Sequence, residues 1–209
     1  MSLEHILMGD IIASSRYRAS ALREAFLAQI ATCNSALAEE IKSPYTVTLG
    51  DEFQGVAASL RAAVGAIFFL EEHLLGVHPP FKLRYVLVHG EIDTPLNRRK
   101  AHTMMGAGLT RARRLLTDKR RGQPRFRFDL PDRAATRRLE RLFLAIDGVT
   151  GRWSTSDAEL IGDMIANRHN GEVGARHGKN RSQIWKRRKH LLIEEYRALK
   201  EVALEIADA

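Results

Sequence analysis

The sequence predicts an α+β protein: a mainly antiparallel sheet with helices on one or both faces, followed by a smaller all-α module. Three observations lead there. Strand-like and helix-like segments follow one another as strand, helix, two strands, helix, strand, helix, strand. A turn at Gly50-Asp51-Glu52 joins two β-rich runs, which is a hairpin signal. Beyond residue 150 the strand signals stop, and short capped helical segments with many basic residues take over.

Residues 6–13 are an apolar run that reads as a buried strand. Residues 22–41 carry Leu22, Phe26, Ile30, Leu37 and Ile41 at helical spacing, in one helix or two, stopped by Ser43-Pro44. The hairpin follows, its first arm opening at Tyr45. Residues 59–75 predict a helix closed by Gly76. Residues 81–89 set Leu83, Tyr85 and Leu87 against Arg84, Val86 and Val88, a strand closed by Gly90. A polar loop with Pro95 leads to a helix over 108–118, a short strand over 125–128 and a helix over 132–145. Residues 147–152 are the expected linker, so the domains are expected at 1–146 and 147–209.

The 209 residues, 44% hydrophobic and 28% charged, allow one large domain or two small ones and exclude a disordered chain. The single Cys33 excludes a disulfide framework and a cysteine-rich zinc site. It sits in a helix-like run and is expected to be a buried packing group. No signal peptide and no membrane span is expected, because Gly65-Ala66-Ile67-Phe68-Phe69-Leu70 is flanked at once by Glu71 and Glu72. A cytoplasmic protein is expected. The net charge of +8 points to a polyanionic partner, nucleic acid or nucleotide.

The hairpin tip carries Asp51 and Glu52, and the first strand leads into Asp10-Ile11. Two strands that each present an Asp make a site for a hard divalent cation such as Mg²⁺, which takes one or two carboxylates plus water and phosphate. A tight turn with solvated acids is the other reading, and the residues alone leave both open.

These segments resemble class III nucleotidyl cyclases and, more distantly, the GGDEF diguanylate cyclases. The resemblance rests on Asp10-Ile11, on Thr48-Leu49-Gly50-Asp51, on residues 83–91 and on residues 106–115, in that order. It implies a ferredoxin-like, nucleotidyl-cyclase-type palm. It also implies metal held by Asp10, Asp51 and the Ile11 carbonyl, and nucleotide contacts at Gly50, Glu52 and Gly106. Arg114 would neutralise phosphate charge across a head-to-tail homodimer; a solvated helix face is the alternative. Two departures matter. No Lys precedes the hairpin at Val47–Thr48, where the cyclases select adenine, and Thr110 stands where they place a catalytic Asn. The chain as a whole resembles the SatD family.

The tail reads as a helix-turn-helix. Ser156 and Glu159 fit a capping box opening a helix that Asn170-Gly171 ends. A second helix covers 172–177, and Asn180 with Gln183 caps a third. Gly174, Gly178 and Ile184 have the spacing of close approach, turn and packing residue. Between Arg176 and Lys189 lie seven Lys or Arg and no acid. Lys179, Arg181, Ser182, Gln183, Lys186 and Arg187 are the expected DNA contacts. A plain basic surface helix is the bland alternative. Leu192, Tyr196, Leu199, Val202 and Ile206 continue an apolar stripe, so the third helix is expected to run on and pack against a core or a twin.

The expected function is therefore a nucleotide-responsive protein that binds double-stranded DNA, a transcriptional regulator in a bacterial stress response. The rivals are an active Mg²⁺-dependent cyclase or nucleotidyltransferase, and a non-catalytic stress-response scaffold.

Overall fold

A computed structural model of the chain describes residues 2–120 and 122–208. The elements are β1 (Ser2–Ile11), α1 (Ala19–Ala36), β2 (Ile41–Val47), β3 (Glu52–Ala57), α2 (Leu60–Leu74), β4 (Leu83–Ile92), α3 (Ala107–Thr117), β5 (Phe126–Asp129), α4 (Arg133–Thr150), α5 (Ala158–Ala166), α6 (Asn170–Arg176), α7 (Arg181–Leu191) and α8 (Ile193–Asp208). The five strands form one mixed sheet in the order β2-β3-β1-β4-β5. All pairs are antiparallel except β4 with β5, which are joined through α3 and run parallel.

Strand alternation builds two cores on the two faces of this sheet. Leu7, Phe53, Tyr85 and Leu87 face a core with Phe26, Phe68 and Phe143 from α1, α2 and α4. Ile6, Met8, Val86 and Val88 face the other side, under Leu109, Ala112 and Leu116 of α3. Both faces of β1 are thus covered, which is why its sequence is almost continuously apolar. A third core, built on Ile161, Met164, Val173, Ile184 and Leu191, belongs to α5, α6 and α7.

The first and largest core extends into the tail. Tyr196 and Ala203 of α8 are buried in it, with Tyr196 edge-on to Phe68 at 6.3 Å. Tyr196 also donates its hydroxyl to Glu72 at 2.9 Å, and Lys200 pairs with the same carboxylate. The expected core-facing role of the tail's apolar stripe therefore holds for α8. Cys33 is buried, and burial pushes its thiol up to about 12.

Several expected boundaries move for physical reasons. The helix ends at Ala36, not Ile41, because residues 41–47 pair with β3 as an edge strand. Pro44 is tolerated there, where no neighbour needs its missing N–H. Gly90 does not close its strand: β4 runs on to Ile92. A Cβ on Gly90 would lie 2.7 Å from Gly108 Cα, so the glycine pair lets α3 lie directly on the sheet. Helix α4 continues through residues 147–150, where a linker was expected. At α5, Ser154 caps the preceding turn rather than Ser156 the helix, and the helix ends at Ala166, with Asn170 opening α6. The apolar stripe beyond α7 is interrupted by Leu192 in the left-handed region, φ 56°. One stripe serves two cores, so the chain bends between them.

His5 and His89 are register partners on β1 and β4, with rings 4.5 Å apart. Burial, and then the neighbouring His89, holds the His5 imidazole down at about 4 from its usual 6.5. The unfolded chain takes up that proton at a higher pH than the folded one. Stability from this site is full above pH 6.5 and is lost as pH falls towards 4, by roughly 1 kcal/mol after allowing for partial exposure. His5→Gln is expected to flatten the fall in melting temperature between pH 7 and 4.5, and an unchanged profile would exclude His5 as its source.

Candidate functional site

At the C-terminal end of β1, sheet pairing gathers the acidic residues. Asp10 is opposite Glu52 on β3 and opposite Arg84 on β4. The Ile11 N–H donates to the Asp51 carbonyl at 2.9 Å, tying the strand end to the hairpin turn. Gly50 takes φ 78° in that turn, a conformation that favours glycine. Ser14 donates to the Asp51 carboxylate at 2.7 Å. Asp10, Ile11, Gly50, Asp51 and Glu52 therefore lie at one end of the β1–β3 pair.

The electrostatics there were not legible beforehand. Asp10 is only 1% exposed and carries two cations, Arg84 at 3.2 Å and Lys119 at 2.8 Å. Among the described residues, no group of three or more His, Cys, Asp or Glu is arranged to hold a metal. The donors are all oxygens, two carboxylates and a carbonyl, so they suit Mg²⁺ in kind. Arg84 and Lys119 both sit on Asp10, and Asp51 and Glu52 have no cationic partner among the described residues.

The second group of residues lies elsewhere. Gly106 precedes α3 and packs on Glu91 and Ile92, where a Cβ would lie 2.5 Å from the Glu91 carbonyl. Ile92 is eight residues beyond Arg84, which puts the Gly106 end about 26 Å along β4 from Asp10. Thr110 is exposed and donates its hydroxyl back to the Gly106 carbonyl at 3.3 Å. Arg114 is exposed one turn further on, with no acidic partner among the described residues. Its neighbours are engaged: Arg111 pairs with Asp129, and Arg113 donates to Gln54. A single chain thus does not bring Thr110 and Gly106 to the acids.

The third group is the α6–turn–α7 unit. A Cβ on Gly174 would run into the Lys179 carbonyl, so this glycine sets how closely the two helices meet. Gly178 takes φ 61° in the turn. Asn180 and Gln183 form the full reciprocal cap, at 2.9 and 2.8 Å, and Ile184 is fully buried. Lys179, Arg181, Ser182, Gln183 and Lys186 are exposed.

Two assignments need correction. Arg187 is half-buried and ion-paired with Asp157, so it is not a free outward contact. The Gln183 side-chain oxygen is committed to the cap, leaving only its N–H₂ to reach outward. Sequence reading missed two residues. Trp185 is 53% exposed on the same surface, an apolar side chain inside a basic run. Arg188 is buried. It donates to Asn170 at 2.6 Å, to the Met164 carbonyl at 2.8 Å and to the Asn167 carbonyl, and it pairs with Glu194. Burial lowers its pKa. Helical spacing from Ile184 would have placed residue 188 inward, but a charged residue there reads as surface.

Fold and site together define a class: a mixed α/β sheet protein with an acidic strand end and an appended basic helical unit. The chain belongs to the SatD family, whose family model matches residues 5–203. No curated protein matches it.

Proposed function

We propose that this protein is a nucleotide-responsive regulator that binds double-stranded DNA. The α6–turn–α7 unit carries this reading. As a helix-turn-helix it has a close-approach glycine, a turn glycine, a doubly capped second helix and an outward face of Lys179, Arg181, Ser182 and Lys186 with no acid. Helices of this kind lie in the major groove, where Arg reads guanine edges and Lys or Ser holds phosphates. Polarisation titrations on duplexes from the protein's own promoter region test it. Binding is expected to exceed that of random DNA at about 0.15 M salt and to weaken steeply with added salt. Binding no better than to random DNA, together with wild-type behaviour when basic residues of this face are reversed to Glu, would move the scaffold reading to first place.

The sheet supports the nucleotide half. Strands β1 to β4 with α1 and α2 run β-α-β-β-α-β in the order 2-3-1-4, all antiparallel, which we read as a ferredoxin-like palm. Asp10, Asp51 and the Ile11 carbonyl would hold Mg²⁺, which supplies charge neutralisation for a nucleoside triphosphate. Lys119, exposed on the α3–β5 loop, is the cation that would yield. Because Gly106 and Thr110 lie far along β4 from the acids of their own chain, they would serve a partner's acids in a head-to-tail homodimer, as the cyclase resemblance implies for Arg114. Asp51→Asn is expected to weaken Mg²⁺-dependent triphosphate binding at least tenfold by calorimetry. Turnover is expected to be slow or absent. The hydrogen bond that an Asn would make at Thr110 is missing, a loss worth about 10²- to 10³-fold in rate. Many turnovers per second would instead make the protein an enzyme.

A further inference from the structure

A second site lies away from the acids, where the sheet meets the tail. A cavity of about 360 Å³ opens between the β1–α1 loop, the end of α2 and the segment joining α4 to α5. That volume is in the range of small-ligand sites. Its aromatic walls are Tyr17, Phe81 and Trp153. Arg125 and Glu71 also line it, but they pair with each other at 2.8 Å. Arg16 and Lys82 are left at the rim, both exposed and neither with an acidic partner among the described residues. Ala13, also at the rim, is held at φ 55°, and such strained residues cluster at ligand clamps.

Trp153 connects this cavity to the proposed DNA-reading helix. Its indole N–H donates at 2.9 Å to the carbonyl of Leu191, the last residue of α7. The next residue, Leu192, is the left-handed bend into α8. The other side of the indole stands edge-on to Tyr196 at 4.9 Å, in the main core. One side chain is thus a wall of the cavity and the tether of α7.

We propose that the cavity binds a small planar aromatic anion. The ring lies among Tyr17, Phe81 and Trp153, and Arg16 and Lys82 take the charge. Its occupancy changes the set of α7 through the Trp153–Leu191 hydrogen bond. The binding half stands on the cavity alone; the regulatory half rests on the DNA-binding reading. An aromatic carboxylate and a nucleoside monophosphate share this chemistry, and the test separates them.

The full chain is titrated by calorimetry with 2-naphthoate and with AMP, without metal. Binding of at least one is expected. The double variant Arg16→Glu, Lys82→Glu is expected to weaken it tenfold or more, while added Mg²⁺ has no effect. The two substituted residues are exposed, and circular dichroism of the variant is the check that it is folded. The bound probe is then expected to change affinity for a duplex at least threefold. Binding of neither probe, or wild-type binding by the double variant, overturns the site. Probe binding that depends on added Mg²⁺ assigns the probe to the acidic end instead and overturns the site as well. Probe binding with unaltered DNA affinity overturns the regulatory half. If the protein binds no DNA, the function proposed above fails while the calorimetry still decides the cavity.

Discussion

Replacing Arg181 and Lys186 together by glutamate is expected to lower affinity for duplex DNA at least a hundredfold while the fold persists. Both side chains are exposed, and neither has an acidic partner among the described residues, so the substitutions break no internal contact. Each lost contact is worth about 1–3 kcal/mol, and two such losses reach a hundredfold. The salt dependence gives an independent reading. Each phosphate no longer neutralised removes about 0.9 from the slope of log affinity against log salt. The double variant should therefore lose up to roughly two units of slope. Lys186→Ala alone should weaken all duplexes alike, and Arg181→Ala should also relax sequence preference if that residue touches base edges. Arg187 is the wrong residue for this test. Its ion pair with Asp157 means that reversing its charge also disturbs the packing of α7 on the start of α5. Wild-type affinity and slope in the double variant would show that this face does not meet DNA.

Arg188→Met is expected to be the most destabilising single change in the tail. The guanidinium joins the end of α5, the start of α6 and the first turn of α8 from a position on α7. Methionine keeps much of the apolar stem but leaves the Met164 and Asn167 carbonyls unpaired, at about 1–3 kcal/mol each. A total near 3 kcal/mol corresponds to a fall of roughly 6–12 °C in melting temperature for a chain of this size. Arg188→Lys should recover less than half of the loss, because one ammonium cannot reproduce the planar fork across four acceptors. A melting temperature within about 1 °C of wild type would mean that water satisfies those carbonyls and that the arginine is not the tie described.

The sequence by itself determined the local features. The hairpin and the α7 cap were legible because each is decided within a few residues: Gly50 by its positive φ, Asn180 and Gln183 by reciprocal hydrogen bonds three residues apart. Alternation in β4 and the apolar run of β1 announced which strands are covered, since burial acts residue by residue. The β1–β3 register sets Asp10 opposite Glu52, and the Ile11 N–H to Asp51 carbonyl bond ties the turn to the same strand end.

What the tertiary structure decided is what depends on neighbours distant in sequence. Gly90 reads as a strand terminator until α3 is seen lying on it through Gly108. The end of the expected helix at Ile41 lost its helical reading to pairing with β3, because β pairing is non-local and overrides local spacing. The expected third helix runs unbroken in sequence from Ile184 into the stripe ending at Ile206, yet Leu192 divides it between the core of α5, α6 and α7 and the main sheet core, where α8 packs with α2 and α4. The charges changed meaning in the same way. Arg187 and Arg188 stand in one basic run with Lys186, but Asp157 captures the first and four backbone and side-chain acceptors bury the second. A charge shows its sign in the sequence, but its partner is fixed only by packing, and the partner decides whether it is free to bind another molecule.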